Sequence, residues 1–147
     1  GASFLESIVA GYEVNLHIGE AFAKYTSPNG WRGTTIYGVL GVATTSAKML
    51  GLDSSKIVDA LSHSVNMAGG LMQCWLEGTP EWLYASGLAA QNGLLSALLA
   101  ERGANGARSS FAGPKGFLKA FCGHVPDDAD SRDRRNLIII GKRDSKN

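Results

Sequence analysis

The chain has 147 residues, a formal net charge of +1, 44% hydrophobic residues and 18% charged residues. This length and composition are typical of one globular domain and exclude a disordered chain, and the small net charge argues against nucleic-acid and anionic-membrane partners. Cys74 and Cys122 have neither CxxC nor metal-ligand spacing, and no apolar run reaches about 18 residues. We therefore expect no metal, cofactor or membrane span, and a reducing, cytoplasmic location.

The abundance of small residues predicts the fold class. Nineteen glycines lie in a chain also rich in alanine, and small residues let helices approach closely. We expect an all-α, compact bundle of about five helices. The first is predicted over residues 2–25, with no N-terminal cap, so we expect the natural N-terminus to lie upstream. Its apolar positions are Phe4, Ile8, Val9, Tyr12, Leu16 and Phe22.

A turn at residues 28–30 leads into the second helix, predicted to end at Gly51. Thr34 or Thr35 is expected to cap this helix by accepting a backbone N–H. Gly38 and Gly41 lie inside it, which indicates another backbone packed against the helix. A helix N-terminus beside Arg32 is a place where an anionic group would be stabilised.

Three more helices follow in the pattern. Asp53 is predicted to cap the third helix, which Gly69 and Gly70 end. Residues 71–78 are expected to be a connector or a single helical turn. The fourth helix is predicted to start with Thr79 as cap and Pro80 as first residue and to run to Arg102, and the fifth covers residues 115–121.

The composition changes after Phe121. Residues 127–135 form a run of charges, and residues 137–140 form one candidate strand. An isolated strand is not stable in a helical chain. We therefore predict that residues 122–147 are a divergent charged tail, irregular in structure and outside the core.

Five ordered segments together resemble the MmgE/PrpD family, which includes 2-methylcitrate dehydratase and cis-aconitate decarboxylase. The similarity runs from residue 4 to about residue 121. The segments are Ile8–Val14, Gly30–Gly41, Leu50–Leu61, Ala89–Gly103 and Gly113–Phe121.

The resemblance implies a fold and an activity. Members have a large all-helical domain and a smaller α+β domain, usually dimerise, and act on small di- and tricarboxylic acids by dehydration, decarboxylation or epimerisation without an iron–sulfur cluster. Their active site lies between the two domains. Residues 1–121 match only the middle and end of the helical domain, so this chain is expected to lack part of its cleft.

At three positions where lyases of the family carry site residues, this chain has a different residue. Lyases of the family carry His where this chain has Arg32, and Lys and His where it has Trp82 and Ala85. We predict Arg32, Thr34, Thr35 and Trp82 as substrate-binding residues and assign no catalytic residue. The alternatives are an exposed arginine beside an ordinary cap and a tryptophan that belongs to the core. His63, four residues after Asp59, is expected to form a surface pair with it.

The predicted function is that of a fragment of an MmgE/PrpD-type lyase or isomerase, inactive alone, with a small polycarboxylate substrate and a homodimeric state. The alternative is a non-catalytic helical dimerisation module or the remnant of a truncated gene.

Overall fold

The structure, a computed structural model, describes residues 1–126. Four long helices dominate this part of the chain, and three helices of four to six residues lie between or after them. In chain order the helices are α1 (Ala2–Thr26), α2 (Gly33–Ile36), α3 (Gly38–Met49), α4 (Ser54–Asn66), α5 (Gln73–Glu77), α6 (Glu81–Glu101) and α7 (Phe117–Cys122). The all-α prediction is confirmed. The helices beyond the expected five are α2, one turn before α3, and α5, which lies in the predicted connector.

Helix α3 lies at the centre of the bundle, in contact with α1, α4 and α6. The main core joins the buried face of α1 to α2, α3 and α7, and a second cluster of alanines joins α3, α4 and α6. The largest fully buried apolar side chains are Phe22, Ile36, Leu40 and Leu118.

Glycines allow the closest helix–helix approaches. A Cβ on Gly41 would lie 2.9 Å from the Gly11 carbonyl oxygen of α1, and a Cβ on Gly93 would lie 2.7 Å from the Val39 carbonyl oxygen of α3. The expectation of a backbone packed against the second helix is confirmed at Gly41. It is wrong at Gly38, where a Cβ would meet nothing within 4 Å.

Large apolar side chains face outward on both α1 and α6, and in α1 they include four of the six positions predicted to be apolar core positions. In α1, the large side chains at positions 4, 9, 12 and 16 are exposed, whereas Val14, Ile18 and Phe22 enter the core. In α6, Ala89, Gly93 and Ala97 are buried and the leucines at positions 88, 94, 95 and 98 are exposed. Small residues line the contacts because the backbones of neighbouring helices lie close together there.

The long helices start within a few residues of the positions predicted from the sequence. Asp53 caps α4 as predicted, accepting the Lys56 N–H at 2.9 Å. Neither Thr34 nor Thr35 caps the second helix, because Arg32 occupies the N-cap position and makes no side-chain cap hydrogen bond. Helix α6 starts one residue later than predicted, after Pro80.

Asp59 and His63 do not form the expected surface pair. Asp59 is buried, and its Oδ1 accepts the Gly106 N–H at 3.0 Å and lies 3.4 Å from Nη2 of Arg108. Nε2 of His63 is 3.0 Å from the Ala104 carbonyl oxygen. Both side chains lie on α4, and their contacts therefore link this helix to the loop that follows α6. The charge run and the candidate strand predicted at residues 137–140 lie outside the described residues.

Candidate functional site

Backbone hydrogen bonds hold the turn before α2 against the segment before α5. The Arg32 N–H donates to the Gly70 carbonyl at 3.0 Å, and the Met72 N–H donates to the Gly30 carbonyl at 2.9 Å. Trp31 and Leu71 form an isolated antiparallel bridge between these two bonds. The Trp31 ring also packs on Phe121, with 4.5 Å between ring centroids. These contacts fix the backbone from which Arg32 projects.

Gly70 has a conformation that only glycine adopts without strain. Its φ is 129°, and a Cβ at this position would collide with the Thr35 side chain. Thr35 is buried, and its Oγ1 donates to the Arg32 carbonyl at 2.9 Å. This hydrogen bond therefore helps to hold the backbone of Arg32 in place. The predicted site residue Thr34 is exposed and makes no such contact.

The Arg32 side chain is buried, with 6% of its surface exposed. Its Nη1 donates to the Trp82 backbone carbonyl at 2.7 Å, and its guanidinium carbon lies 5.6 Å from the Trp75 ring centroid and 6.0 Å from that of Trp82. Its Nε has no hydrogen-bond partner among residues 1–126. The alternative of an ordinary exposed arginine is therefore wrong.

Within the described part of the chain, the hydrogen-bond donors of this guanidinium are not all paired. Within residues 1–126, Arg108 forms an ion pair with Asp59 and His17 lies 3.5 Å from the Glu13 carboxylate, and Arg32 takes part in neither contact. A buried donor without a partner costs about 1–3 kcal/mol, and more when the group is charged. An anion that accepted from Nε would remove this cost, because a carboxylate matches the donor fork of arginine.

Two partly exposed tryptophans border the guanidinium. Trp75 is 55% exposed and Trp82 is 42% exposed, so the alternative that places Trp82 in the core is wrong. The structure thus brings together Arg32 and Trp82, which lie 50 residues apart in sequence. Sequence reasoning missed Trp75, because a tryptophan in a short apolar connector carries no positional signal.

Glu81, Tyr37 and Cys122 have pKa values that differ from the ordinary values of their side chains. Glu81, next to Trp82, has its pKa held below the ordinary 4.5, first by a hydrogen bond from the Thr79 side chain and then by a backbone hydrogen bond. Burial raises the pKa of the Tyr37 hydroxyl and of the Cys122 thiol. Tyr37 packs against Phe117 in the core and hydrogen-bonds Thr26, so its role is structural.

A surface cavity of about 240 Å³ lies elsewhere, between the end of α4 and α7. Asn66, Ser110 and Lys115 supply its polar lining, and Phe117 and Phe121 supply its apolar floor. The Asn66 amide donates to the Ser62 carbonyl at 2.8 Å.

Residues 1–126 carry neither a metal-binding cluster nor a membrane-spanning helix. No group of three or more His, Cys, Asp or Glu side chains in this range is arranged to bind a metal ion. None of the helices described is both long and apolar enough to span a membrane.

Comparison with known proteins agrees with the resemblance noted from the sequence. The model of the MmgE/PrpD N-terminal domain matches residues 1–129. A cis-aconitate decarboxylase-like protein, oryM, of Aspergillus oryzae is 33% identical over 123 residues, and a cis-aconitate decarboxylase of Aspergillus terreus is 32% identical over 123 residues. Each match covers 82% of this chain and 25% of the relative, so the chain spans about a quarter of the length of these proteins. The chain belongs to the MmgE/PrpD family.

Proposed function

We propose that this chain is part of an MmgE/PrpD-type lyase or isomerase and that Arg32 binds one carboxylate of a small di- or tricarboxylic acid. The observation that carries the proposal is the buried guanidinium of Arg32, whose Nε lacks a partner among residues 1–126. A carboxylate has two oxygens that fit the parallel donors of arginine. The names of the fungal relatives support an acid of this class.

The geometry supports a binding role for Arg32 and not a proton-transfer role. Arginine stays protonated throughout the physiological range, so it orients and neutralises a carboxylate without exchanging a proton. We assign the acid–base groups to parts of the enzyme outside the described residues. The chain alone is then expected to be catalytically silent. Turnover of cis-aconitate by the purified 147-residue chain would contradict this expectation.

The test of carboxylate binding is a titration of the ¹⁵N-labelled chain with succinate, observed at the arginine Nε–H signals by NMR. The Arg32 signal, identified by its absence in Arg32→Lys, is expected to shift in a saturable way. Arg32→Lys keeps the positive charge but removes the donor fork, so we expect affinity to fall about tenfold.

The matched control is Arg102→Lys, at the exposed end of α6. This variant should bind succinate like the parent chain, and the backbone amide spectrum of each variant reports both its affinity for succinate and whether the fold is intact. The proposal fails if succinate leaves the Arg32 Nε–H signal unmoved, or if Arg32→Lys binds succinate as tightly as the parent does.

A second candidate function is a non-catalytic helical dimerisation module, favoured by the exposed apolar sides of α1 and α6. Tyr12, Leu16, Leu88 and Leu95 are among the large side chains that are 43–63% exposed there. Contiguous apolar surface of this kind marks interaction sites. A concentration-dependent dimer in analytical ultracentrifugation, combined with no shift of the Arg32 signal by any carboxylate, would favour this function over the enzymatic one.

A further inference from the structure

The surface cavity between the end of α4 and α7 has a wall that hydrogen bonds hold in place. Ser62 Oγ donates to the Ala107 carbonyl at 2.9 Å, which links the loop before α7 to α4. The Phe117 N–H donates to the Ser110 carbonyl at 2.8 Å, which links the same loop to the start of α7. Ala107 and Ser110 both line the cavity. Their backbone positions are therefore fixed without use of the Ser110 hydroxyl.

The apolar part of the lining consists of aromatic and small side chains. The rings of Phe117 and Phe121 are stacked, with 4.4 Å between their centroids, and Val65, Ala107 and Ala120 border the same space. A further aromatic ring gains from contact with these rings beyond the apolar area that it buries. An apolar cavity of about 150 Å³ accepts benzene. A cavity of about 240 Å³ therefore has room for one ring and a small substituent.

The polar part of the lining offers donors to an anion. The Lys115 ammonium forms neither a hydrogen bond nor an ion pair with residues 1–126, and the Ser110 hydroxyl forms no hydrogen bond within the same range. The lining described here also includes the Asn66 amide but no Asp or Glu side chain, so no lining carboxylate opposes the charge of Lys115. Ammonium and hydroxyl groups both donate to a carboxylate.

We infer that this cavity binds a small aromatic monocarboxylate, a single ring that carries one carboxylate group. The ring would pack against Phe117 and Phe121, and the carboxylate would accept hydrogen bonds from Lys115 and Ser110. Succinate offers carboxylates but no ring, so it lacks the group that the apolar part of the cavity favours. This site shares no lining residue with the Arg32 site, and the inference does not depend on carboxylate binding by Arg32.

The experiment titrates the ¹⁵N-labelled 147-residue chain with benzoate and follows the backbone amide signals of Ala107, Ser110 and Gly116 by NMR. These signals are expected to shift together in a saturable way. Benzyl alcohol keeps the ring without the charge, and acetate keeps the carboxylate without the ring. Each should bind about tenfold more weakly than benzoate, because each can use only one part of the lining.

Variants of exposed lining residues test the two parts of the cavity separately. Lys115→Gln removes the cation and should weaken benzoate binding about tenfold. The matched control is Lys48→Gln, an exposed lysine in the last turn of α3, which should bind benzoate like the parent chain. Ala120→Leu fills the cavity from an exposed position and should abolish the shifts. The backbone amide spectrum of each variant reports whether the fold is intact.

The outcomes separate this inference from the proposed function. Arg32→Lys should leave the benzoate shifts at the cavity unchanged, whereas succinate should shift the Arg32 Nε–H signal. The inference is overturned if benzoate leaves the cavity signals unmoved, or if benzyl alcohol or acetate binds there as tightly as benzoate. It is also overturned if Lys115→Gln or Ala120→Leu keeps the affinity of the parent chain, or if Lys48→Gln loses as much affinity as Lys115→Gln.

Discussion

Nη1 of Arg32 lies 2.7 Å from the backbone carbonyl oxygen of Trp82, and this hydrogen bond joins the turn before α2 to the first turn of α6. A carbonyl at this place in a helix is normally satisfied by the N–H four residues further along the chain. Its second lone pair is free to accept from Arg32. The contact fixes the guanidinium in position, and Nε has no partner among residues 1–126, which is the basis of the proposed carboxylate site.

The backbone conformation of Gly70 supports this arrangement. We expect Gly70→Ala to lower the free energy of unfolding by about 3 kcal/mol, because its φ of 129° is strained for alanine and the new Cβ would collide with Thr35. Urea unfolding measures the loss. Gly69→Ala is the control, since a Cβ there meets nothing within 4 Å. Equal stability of the two variants would contradict the prediction.

Gly93 sets the distance between α3 and α6. A Cβ there would lie 2.6 Å from Cβ of Val42 and 2.9 Å from the Ala43 nitrogen, so Gly93→Ala should destabilise the chain by about 2 kcal/mol. Gly87→Ala lies on the same helix in open space. It should stabilise the chain by about 0.5–1 kcal/mol through helix propensity alone. Thermal unfolding of both variants tests the pair, and opposite signs are expected.

Asp59 stabilises the loop after α6 mainly through the Gly106 N–H. Asp59→Ala leaves that donor without its partner, and we expect a loss of about 2 kcal/mol in the free energy of unfolding. Arg108→Gln removes the ion pair with Asp59 together with two exposed hydrogen bonds to Ser55, and leaves the Gly106 N–H bonded to Asp59. Because the Arg108 side chain is 57% exposed, this loss should stay below about 1 kcal/mol. An equal loss in the two variants would contradict the prediction that the Gly106 hydrogen bond dominates.

The raised pKa of Tyr37 predicts how the stability of the fold changes at alkaline pH. Burial raises the pKa of its hydroxyl above the ordinary 10.0, so above pH 10 the folded state retains a proton that the unfolded state has lost. Stability must then fall as the pH rises past 10. Burial raises the pKa of the Cys122 thiol above 9.0 in the same way, so the decline begins near pH 9.

The variant Tyr37→Phe separates the two contributions. It loses the hydrogen bond with Thr26, and its stability at neutral pH should fall by about 1 kcal/mol. Its stability should then decline less steeply than that of the parent chain between pH 10 and 11. Urea unfolding at pH 7, 9, 10 and 11 measures both curves, and parallel curves would contradict the assignment to Tyr37.

Part of the candidate site could be predicted from local sequence. A turn that leads into a helix beside Arg32 is a local feature, and it identified this arginine as an anion-binding candidate. The burial of Arg32 and its contact with Trp75 could not be predicted, because Trp75 lies in a connector whose packing depends on the antiparallel pairing of Trp31 with Leu71. Thr35 shows the same limit: its hydroxyl supports the Arg32 carbonyl and does not cap the helix.

The sequence by itself determined the all-α class, the approximate positions of the long helices and the Asp53 cap. Caps, turns and helix propensity act between residues that are close in the chain, so local sequence is sufficient to predict them. Only the tertiary structure decided which sides of α1 and α6 face inward. Both sides of these helices are apolar, and the choice depends on the fit of small residues such as Gly93 against α3. That choice is made by contacts between distant segments, and the same long-range packing placed two tryptophans around one buried arginine.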